Sequence, residues 1–200
     1  MPLTYRLTRH DFSAPFRPAN LKAVTDQSST IKAQASDVRL LRGIFGLPTT
    51  SLLTMAALEN HGAEQDLTLP GSTIASTEDL TPTARPKAIG PLPEGGMIVL
   101  RWFQIDDTSF DEFVALSDEA WISLEASFDC QIIGLFRAAN APEGKIRMLL
   151  YTWYASHGEW ERSRDARPEA GASKAWENFT RRHLLTDFTE ASVVAEIPLD

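Results

Sequence analysis

The sequence predicts an α+β protein made of two ferredoxin-like units in tandem. Residues 98–197 follow the order strand, amphipathic helix, strand, turn, strand, helix and strand, and a fainter copy of this order precedes them. A βαββαβ order is typical of the ferredoxin-like fold, in which helices pack on an antiparallel sheet. The 200 residues suffice for two small units that each bury a core.

The second half begins with a strand at 98–105, which is rich in β-branched and aromatic residues. A helix should start soon afterwards, because Ser109 and Glu112 have the spacing of a capping box. Apolar side chains at helical spacing give this helix one buried face: Phe110, Phe113, Val114, Trp121, Leu124 and Phe128. The acids of its polar side are expected to face solvent: Glu112, Glu119 and Glu125.

Three further strands are predicted in the second half. The first covers 130–136, and a turn at 140–144 follows it. The second covers 146–154, a nearly continuous apolar run that indicates a strand covered on both faces. The last is predicted at 192–197.

A second helical region lies between the last two strands. Ser156 and Glu159 repeat the capping pattern, and Pro168 and Gly171 interrupt the helix because proline removes a backbone donor. Helix resumes near Ser173. One stripe of this helix carries Trp176, Phe179 and His183, so His183 is expected to be a packed histidine.

The first half repeats part of this order. Strands are predicted at 4–7, 37–45 and 52–58, and the last two resemble strands of the second half. The pair His61-Gly62 also falls where His157-Gly158 falls. We therefore predict a tandem duplication whose halves form a (pseudo-)dimeric α/β barrel. A weaker helix is marked by Leu21, Val24, Ile31 and Ala35.

The predicted domain organisation has three segments. A degenerate ferredoxin-like half covers 1–66, and a second ferredoxin-like half covers 97–200. Residues 67–96 are rich in Thr, Pro and Gly, which predicts a linker or a loop with a short strand around 72–76.

Composition excludes several functions. The net charge is −8, with 19 Lys and Arg against 27 Asp and Glu, so binding to nucleic acid is not expected. The single cysteine, Cys130, forms no intrachain disulfide and has no activating neighbour in the sequence. No Cys/His cluster has zinc spacing, so no metal site is predicted. Neither a signal peptide nor an apolar run of about 20 residues is found, and we expect a cytoplasmic protein without membrane contact.

A series of motifs in the second half resembles a known family. Leu100-Arg-Trp-Phe103 precedes the acidic helix, and Leu149-Leu-Tyr-Thr-Trp-Tyr154 precedes the Glu/Arg-rich stretch from Glu159 to Arg164. This series resembles the NIPSNAP family of dimeric α/β-barrel proteins over about residues 97–197. Arg101 matches the arginine of the family's Leu-Arg-x-Tyr pattern, whereas Phe103 departs from its tyrosine. The first half fits the family poorly.

The resemblance implies ferredoxin-like sheets that pack face to face around a small cavity. In this superfamily such cavities serve cofactor-free oxygenases, dehydratases, lyases and isomerases, and also haem enzymes. We accordingly predict a cofactor-independent enzyme of lyase, isomerase or oxygenase type that acts on an aromatic or polyketide-like metabolite. Two alternatives stay open: a non-catalytic binding protein for a small hydrophobic ligand, and a haem-binding relative with a histidine as axial ligand. A homodimer is a further possibility.

Four residues are the candidates for catalysis. His157 is the predicted general base, because an imidazole with a pKa near ~6.5 accepts a proton at neutral pH. Arg101 is predicted to hold a carboxylate or enolate oxygen, with Tyr151 or Tyr154 as a hydrogen-bond donor. The alternatives are an exposed helical turn for His157 and an internal salt bridge for Arg101.

Three further residues are candidates for substrate binding. Trp102 and Trp153 have bulky rings with polar tips, which suit an aromatic-binding cavity, although core packing is the alternative. His61 is the counterpart of His157 in the first half.

Overall fold

The computed structural model describes residues 4–15, 18–33, 35–58, 67–86, 93–165 and 173–199. These residues belong to two compact units. Met1–Thr81 and Ser192–Asp200 form the first, and Pro82–Ala191 forms the second. Among the described residues, no helix combines the length and the apolar character needed to cross a membrane.

The first unit contains a four-stranded antiparallel sheet whose order is β4-β1-β3-β2. Its core lies under the two short helices, where Val24 and Ile31 pack against Leu40, Leu52 and Ala56 of the strands. Strand β3 is buried along nearly its whole length, as its apolar sequence predicts. The elements are β1 (Thr4–Phe12), α1 (Pro18–Thr25), α2 (Ser28–Lys32), β2 (Ser36–Phe45), β3 (Ser51–Leu58) and β4 (Ser72–Pro82).

The second unit has the same strand order, β8-β5-β7-β6, to which β8 contributes its residues up to Ala191. Strand β7 pairs with both β5 and β6, and its residues from Met148 to Tyr154 are all buried. Helix α3 packs against α5. The elements are β5 (Met97–Asp106), α3 (Phe110–Ser127), β6 (Cys130–Ala138), β7 (Lys145–Tyr154), α4 (His157–Asp165), α5 (Ser173–Leu184) and β8 (Thr186–Ile197).

The repeated strand order confirms the predicted fold class, α+β with tandem ferredoxin-like units. Three strands extend further than the sequence predicts: β1 continues to Phe12 instead of ending at residue 7, and β4 and β8 are also longer. β4 continues to Pro82 because it pairs along β1, and β8 begins at Thr186 although its first residues are polar. The apolar signal of β8 starts only at Val193, so its exposed beginning has no strand pattern to detect.

The two capping predictions have different outcomes. Ser156 does cap α4, because its Oγ accepts a hydrogen bond from the Glu159 N–H at 3.2 Å. Ser109 makes no side-chain cap bond to α3, since a 3-10 turn over Asp107–Ser109 leads into the helix instead. The segment in which a second helix of the first half would lie, 59–66, is outside the described residues, and so is His61.

Candidate functional site

A cavity of about 380 Å³ lies within the second unit. Strands β5, β6, β7 and β8 and helices α3, α4 and α5 all contribute to its walls. The volume falls in the range of about 300–1,000 Å³ that is typical of small-molecule sites. The cavity is therefore the candidate site of this unit.

Alternation along the strands decides which side chains reach the cavity. β5 contributes Val99, Arg101 and Phe103, and β7 contributes every second residue up to Tyr154. In the paired register, Arg101 lies opposite Leu150, which also lines the cavity. Successive side chains of a strand point to opposite faces, so the residues between these belong to the other face of the sheet.

Three predicted site residues lie on that other face and are not among the cavity-lining residues. Tyr151 is completely buried. Trp102 stacks with the Arg147 guanidinium, 4.5 Å from the ring centroid. Trp153 donates a hydrogen bond from Nε1 to the Gly95 carbonyl at 3.0 Å, which holds the loop before β5. These contacts match the core-packing alternative.

Three arginines line the cavity, each from a different element: Arg101 from β5, Arg164 from α4 and Arg182 from α5. Among the described residues, the lining contains no aspartate or glutamate. Within the described part of the chain, none of the three forms an ion pair with a carboxylate. Arg164 is exposed, but a buried guanidinium such as that of Arg182 normally has such a partner, so this arrangement requires an explanation.

Arg182 is the most deeply placed of the three. Its Nη1 donates a hydrogen bond to the Ser117 Oγ at 3.2 Å. The guanidinium also lies over Phe179 at 4.9 Å, Phe103 at 5.0 Å and Phe113 at 5.5 Å from the ring centroids. The ring faces attract the cation and offset part of the cost of burying it.

Burial and mutual repulsion together lower the pKa values of Arg101 and Arg182. Burial lowers the pKa of Arg182 to about 9, and the nearby charges of Arg101 and Arg164 act in the same direction. Burial also lowers the pKa of Arg101, with the charge of Arg164 as the second cause. A pKa of about 9 still leaves Arg182 charged at neutral pH, so the cavity is strongly positive.

Tyr154 is the predicted tyrosine that reaches the cavity. Arg164 Nη2 donates a hydrogen bond to the Tyr154 hydroxyl oxygen at 3.0 Å. The hydroxyl accepts this bond, so its own proton remains to be donated to a ligand. The pair thus joins the end of β7 to α4.

Helix α4 is held in place at its first turn. Glu159 Oε2 accepts a hydrogen bond from the Asp129 N–H at 3.0 Å, and the Ala155 N–H donates to the Asp129 carbonyl at 3.0 Å. The backbone hydrogen bond from Asp129 and the side-chain bond from Arg162 lower the pKa of Glu159. These contacts fix the helix that carries Arg164.

The histidines are placed differently from the prediction. His157 is exposed at the first residue of α4 and is not part of the cavity lining. The imidazole that does line the cavity is His183 of α5. The expectation that His183 is packed is wrong, because its side chain is exposed. His10 belongs to the first unit, where its Nε2 lies 2.9 Å from the Thr54 Oγ1.

Arg182 and Arg164 are the functional candidates that sequence reasoning missed. The stripe of Trp176, Phe179 and His183 on α5 was a usable signal, because Arg182 lies three residues after Phe179 on the same side. The stripe lines the cavity instead of filling a core.

The floor of the cavity includes Trp121, which is fully buried. Its Nε1 has no hydrogen-bond partner among the described residues. Arg85 lies over its ring at 5.2 Å and donates to Glu125 at 2.8 Å, and Glu125 also accepts from the Ile132 N–H at 2.8 Å. The expectation that Glu125 faces solvent is therefore wrong, because the strand and the arginine both bind it.

Two other chemistries are poorly supported by the side chains. Cys130 is buried, and burial, with the charge of Glu125 as the second cause, raises the pKa of its thiol to about 12. The thiol is thus protonated at neutral pH and unsuited to act as a nucleophile. Within the ranges that the structure describes, no group of three or more His, Cys, Asp or Glu residues is placed to hold a metal ion.

Comparisons with known proteins were made by sequence and by fold. No protein-family model matches the chain, and no curated protein sequence matches it. The fold is similar to that of a candidate monooxygenase from Lactobacillus acidophilus, with a TM-score of 0.64 and 8% identity over 98% of this chain and 94% of that one.

Two further structures are similar over nearly the whole chain. One is an anthrone oxidase-like protein, with a TM-score of 0.61 and 9% identity over 99% of this chain and 92% of that one. The other is a mutant chlorite dismutase from Candidatus Nitrospira defluvii, with a TM-score of 0.61 and 8% identity over 99% of this chain and 92% of that one. At such identities the likeness shows the fold alone, which is that of the ferredoxin-like dimeric α/β-barrel proteins.

Proposed function

We propose that the chain is a small-molecule enzyme of oxygenase type, which acts without a cofactor on an aromatic or polyketide-like metabolite. The observation that carries this proposal is the donor set of one cavity. Arg101, Arg164, Arg182, the Tyr154 hydroxyl and the His183 imidazole line it together with aromatic rings. Such a site can bind an aromatic ring, remove a proton and stabilise the resulting oxyanion.

The fold comparisons favour oxygenase chemistry over the lyase and isomerase alternatives. Two of the similar structures are a candidate monooxygenase and an anthrone oxidase-like protein. All three reaction types begin with proton abstraction beside a carbonyl. The NIPSNAP resemblance is also a proposal, and it rests on Arg101, Tyr154 and the Glu/Arg-rich helix α4.

The proposed reaction converts a ring CH₂ group that is conjugated with a ring carbonyl into a second carbonyl. His183 removes one proton, and the enolate reacts with dioxygen and a proton to give a hydroperoxide. Loss of water from the hydroperoxide leaves the new carbonyl. The carbon is oxidised and dioxygen is reduced, with one oxygen atom in the product and the other in water.

Two groups would stabilise the enolate oxygen. Arg101 offers parallel N–H donors, and its burial strengthens their attraction for an oxyanion. Tyr154 adds a hydroxyl donor that Arg164 orients at 3.0 Å. The proposal assigns the base to His183 instead of His157, because His183 is the imidazole of the cavity lining.

Turnover tests the proposal. Hydroxylated anthrones and related polyketide-like compounds are incubated with the protein in air and without oxygen, and products and dioxygen uptake are measured by mass spectrometry and an oxygen electrode. We expect one dioxygen consumed per product in air and none without oxygen. Arg101→Gln should slow the reaction, whereas Arg137→Gln, an exposed arginine that stacks on Phe110 at 5.4 Å, is the matched control. Saturable binding of the panel without any turnover would instead favour a binding protein.

A haem-dependent enzyme is the second candidate, because one of the similar structures is a chlorite dismutase. The cavity residues suit such a group: His183 offers an imidazole as axial ligand, and the arginines offer partners for the propionates. When bound, haem would supply redox chemistry with oxygen species. A Soret band in the purified protein, lost in His183→Ala, would support this candidate over the first.

A further inference from the structure

The positive charge of the cavity contrasts with the charge of the whole chain. The chain has a net charge of −8, yet the described residues of the cavity lining include three arginines and no aspartate or glutamate. An acidic protein could readily place a carboxylate beside a buried arginine, as the first unit does for Arg39 and Glu196 at 3.0 Å. No described residue of the lining supplies this counter-charge.

Arg182 has the strongest need for such a counter-charge. Its residue is 9% exposed, and the guanidinium makes one hydrogen bond among the described residues, to the neutral Ser117 Oγ. A guanidinium has five N–H donors, so most of them lack an acceptor. A buried charge without a charged partner costs several kcal/mol in typical proteins, a cost that a bound anion would remove.

The other cavity groups are donors as well. Arg101 makes no hydrogen bond or ion pair with a described residue, and the Trp121 Nε1 is buried without an acceptor. Arg164 reaches the same cavity from α4 and holds the Tyr154 hydroxyl. A ligand that matches these walls carries several acceptor oxygens.

The walls between the arginines are flat and apolar. Phe103, Trp121, Trp176 and Phe179 line the cavity, which suits an aromatic ring between the charged groups. The three arginines come from β5, α4 and α5, which are separate elements of the unit. One monoanion would leave two of the three charges without a counter-charge.

We infer that the cavity recognises an aromatic dianion, that is, a ring carrying two acidic oxygen groups such as two carboxylates or a carboxylate and a phenolate. The inference rests on the proposed function for the site and names its substrate class. One acidic group pairs with Arg182, and the second pairs with Arg101 and Arg164. The ring lies against the aromatic walls.

Binding measurements with simple probes test this inference. Phthalate, benzoate, uncharged dimethyl phthalate and inorganic phosphate are titrated by calorimetry at low and high salt. We expect phthalate to bind about tenfold or more tightly than benzoate, because a charged hydrogen bond typically changes affinity by at least that factor. Dimethyl phthalate and inorganic phosphate should bind more weakly still, and salt should weaken phthalate binding.

Variants connect the preference to the named arginines. Arg182→Gln and Arg164→Gln should each reduce the preference for phthalate over benzoate, and Arg137→Gln should leave it unchanged. Arg164 is exposed, so its variant should keep the fold even if the buried Arg182→Gln variant does not. Circular dichroism checks both.

Three results would overturn the inference: equal binding of phthalate and its dimethyl ester, equal binding of inorganic phosphate, or an unchanged preference in folded Arg164→Gln. Its failure is distinct from failure of the proposed function. Turnover of neutral aromatics without any dianion preference would remove the inference alone. Selective dianion binding without oxygen-dependent turnover of any acidic aromatic compound would remove the oxygenase function alone.

Discussion

The two units have the same strand order, but three arginines of the first unit pair with acids, whereas the three cavity arginines of the second unit pair with no described acid. In the first unit, Arg6 binds Asp79 at 2.7 Å, Arg9 binds Asp11 at 2.8 Å and Arg39 binds Glu196 at 3.0 Å. In the second unit, the three arginines of the cavity pair with no carboxylate of the described residues.

The comparison distinguishes two roles of charged side chains: some stabilise the fold, and others are placed to bind a ligand. A paired arginine satisfies its charge within the fold, so its removal should affect stability. An arginine without a counter-charge raises the energy of the ligand-free protein, and binding a ligand recovers that energy. Repeated copies of one fold can therefore carry different roles when only one copy leaves its cations unpaired.

The largest expected effect tests whether the second unit is catalytic. His183→Ala should lower the rate on a verified substrate by about 10²–10⁴-fold, because a positioned general base contributes that much. The rate should change far more than substrate affinity. Steady-state kinetics of His183→Ala and His157→Ala, measured side by side, decide between the two histidines. A loss confined to His157→Ala would return the base to the residue that the sequence predicts.

The next effect compares a cavity arginine with a paired one. Arg101→Gln should lower the rate by about 10²–10³-fold if Arg101 stabilises the oxyanion. Arg6→Gln removes an arginine from the first unit and should leave the rate within about twofold of the parent, because it lies outside the cavity lining. Equal losses in both variants would show that charge removal acts through the fold instead of the site.

For the free energy of unfolding, we expect the opposite result: loss of a paired charge should destabilise the protein more than loss of the cavity arginine Arg182. Asp79→Ala removes the carboxylate of Arg6 and should lower the free energy of unfolding by about 1 kcal/mol, since both partners are partly exposed. Arg182→Met replaces an unpaired buried charge with an apolar chain and should leave that free energy unchanged or raise it by about 1 kcal/mol. Urea unfolding followed by circular dichroism measures both, and a larger loss in Arg182→Met would make Arg182 a structural residue.

The smallest expected effect is on the stability of the protein at low pH. The side-chain hydrogen bond from Arg9, and then that from Ser51, lower the pKa of Asp11 from its ordinary value of 3.8. Its contribution to stability is therefore complete above about pH 3.8 and is lost as pH falls through the lower pKa of the folded state. Asp11→Asn should lower stability at neutral pH and reduce its loss in acid. Unfolding curves between about pH 7 and pH 2 check this, and parallel curves for both proteins would contradict it.

Much of the fold could be predicted from local pattern. The apolar run of β7 and the amphipathic spacing of α3 identified both elements within one or two residues. These patterns work because burial of one face or both faces is set by residues close in the chain. The full length of β4 could not be predicted from its sequence. Its residues are mostly polar, and they form a strand only by pairing with β1, which is distant in the chain.

The candidate site was predictable only in part. Arg101 and Tyr154 were proposed from sequence, and both line the cavity. Tyr151 and Trp153 were proposed from the same aromatic run, but alternation along β7 places them on the other face. A strand that is apolar on both faces can meet a cavity on either face, and the layers packed over the strand decide which one. Its sequence does not alternate between apolar and polar residues, so it does not indicate the cavity face.

The sequence by itself determined the α+β class, the order of helices and strands in the second half and the partial repeat of that order in the first half. Tertiary structure alone decided that Arg164, Arg182 and His183 join Arg101 around one cavity, because β5, α4 and α5 meet only in the folded unit. Secondary structure follows from side-chain patterns within a few residues. A binding site requires charges brought together from far apart in the chain, and their shared need for a counter-charge arises only after they meet.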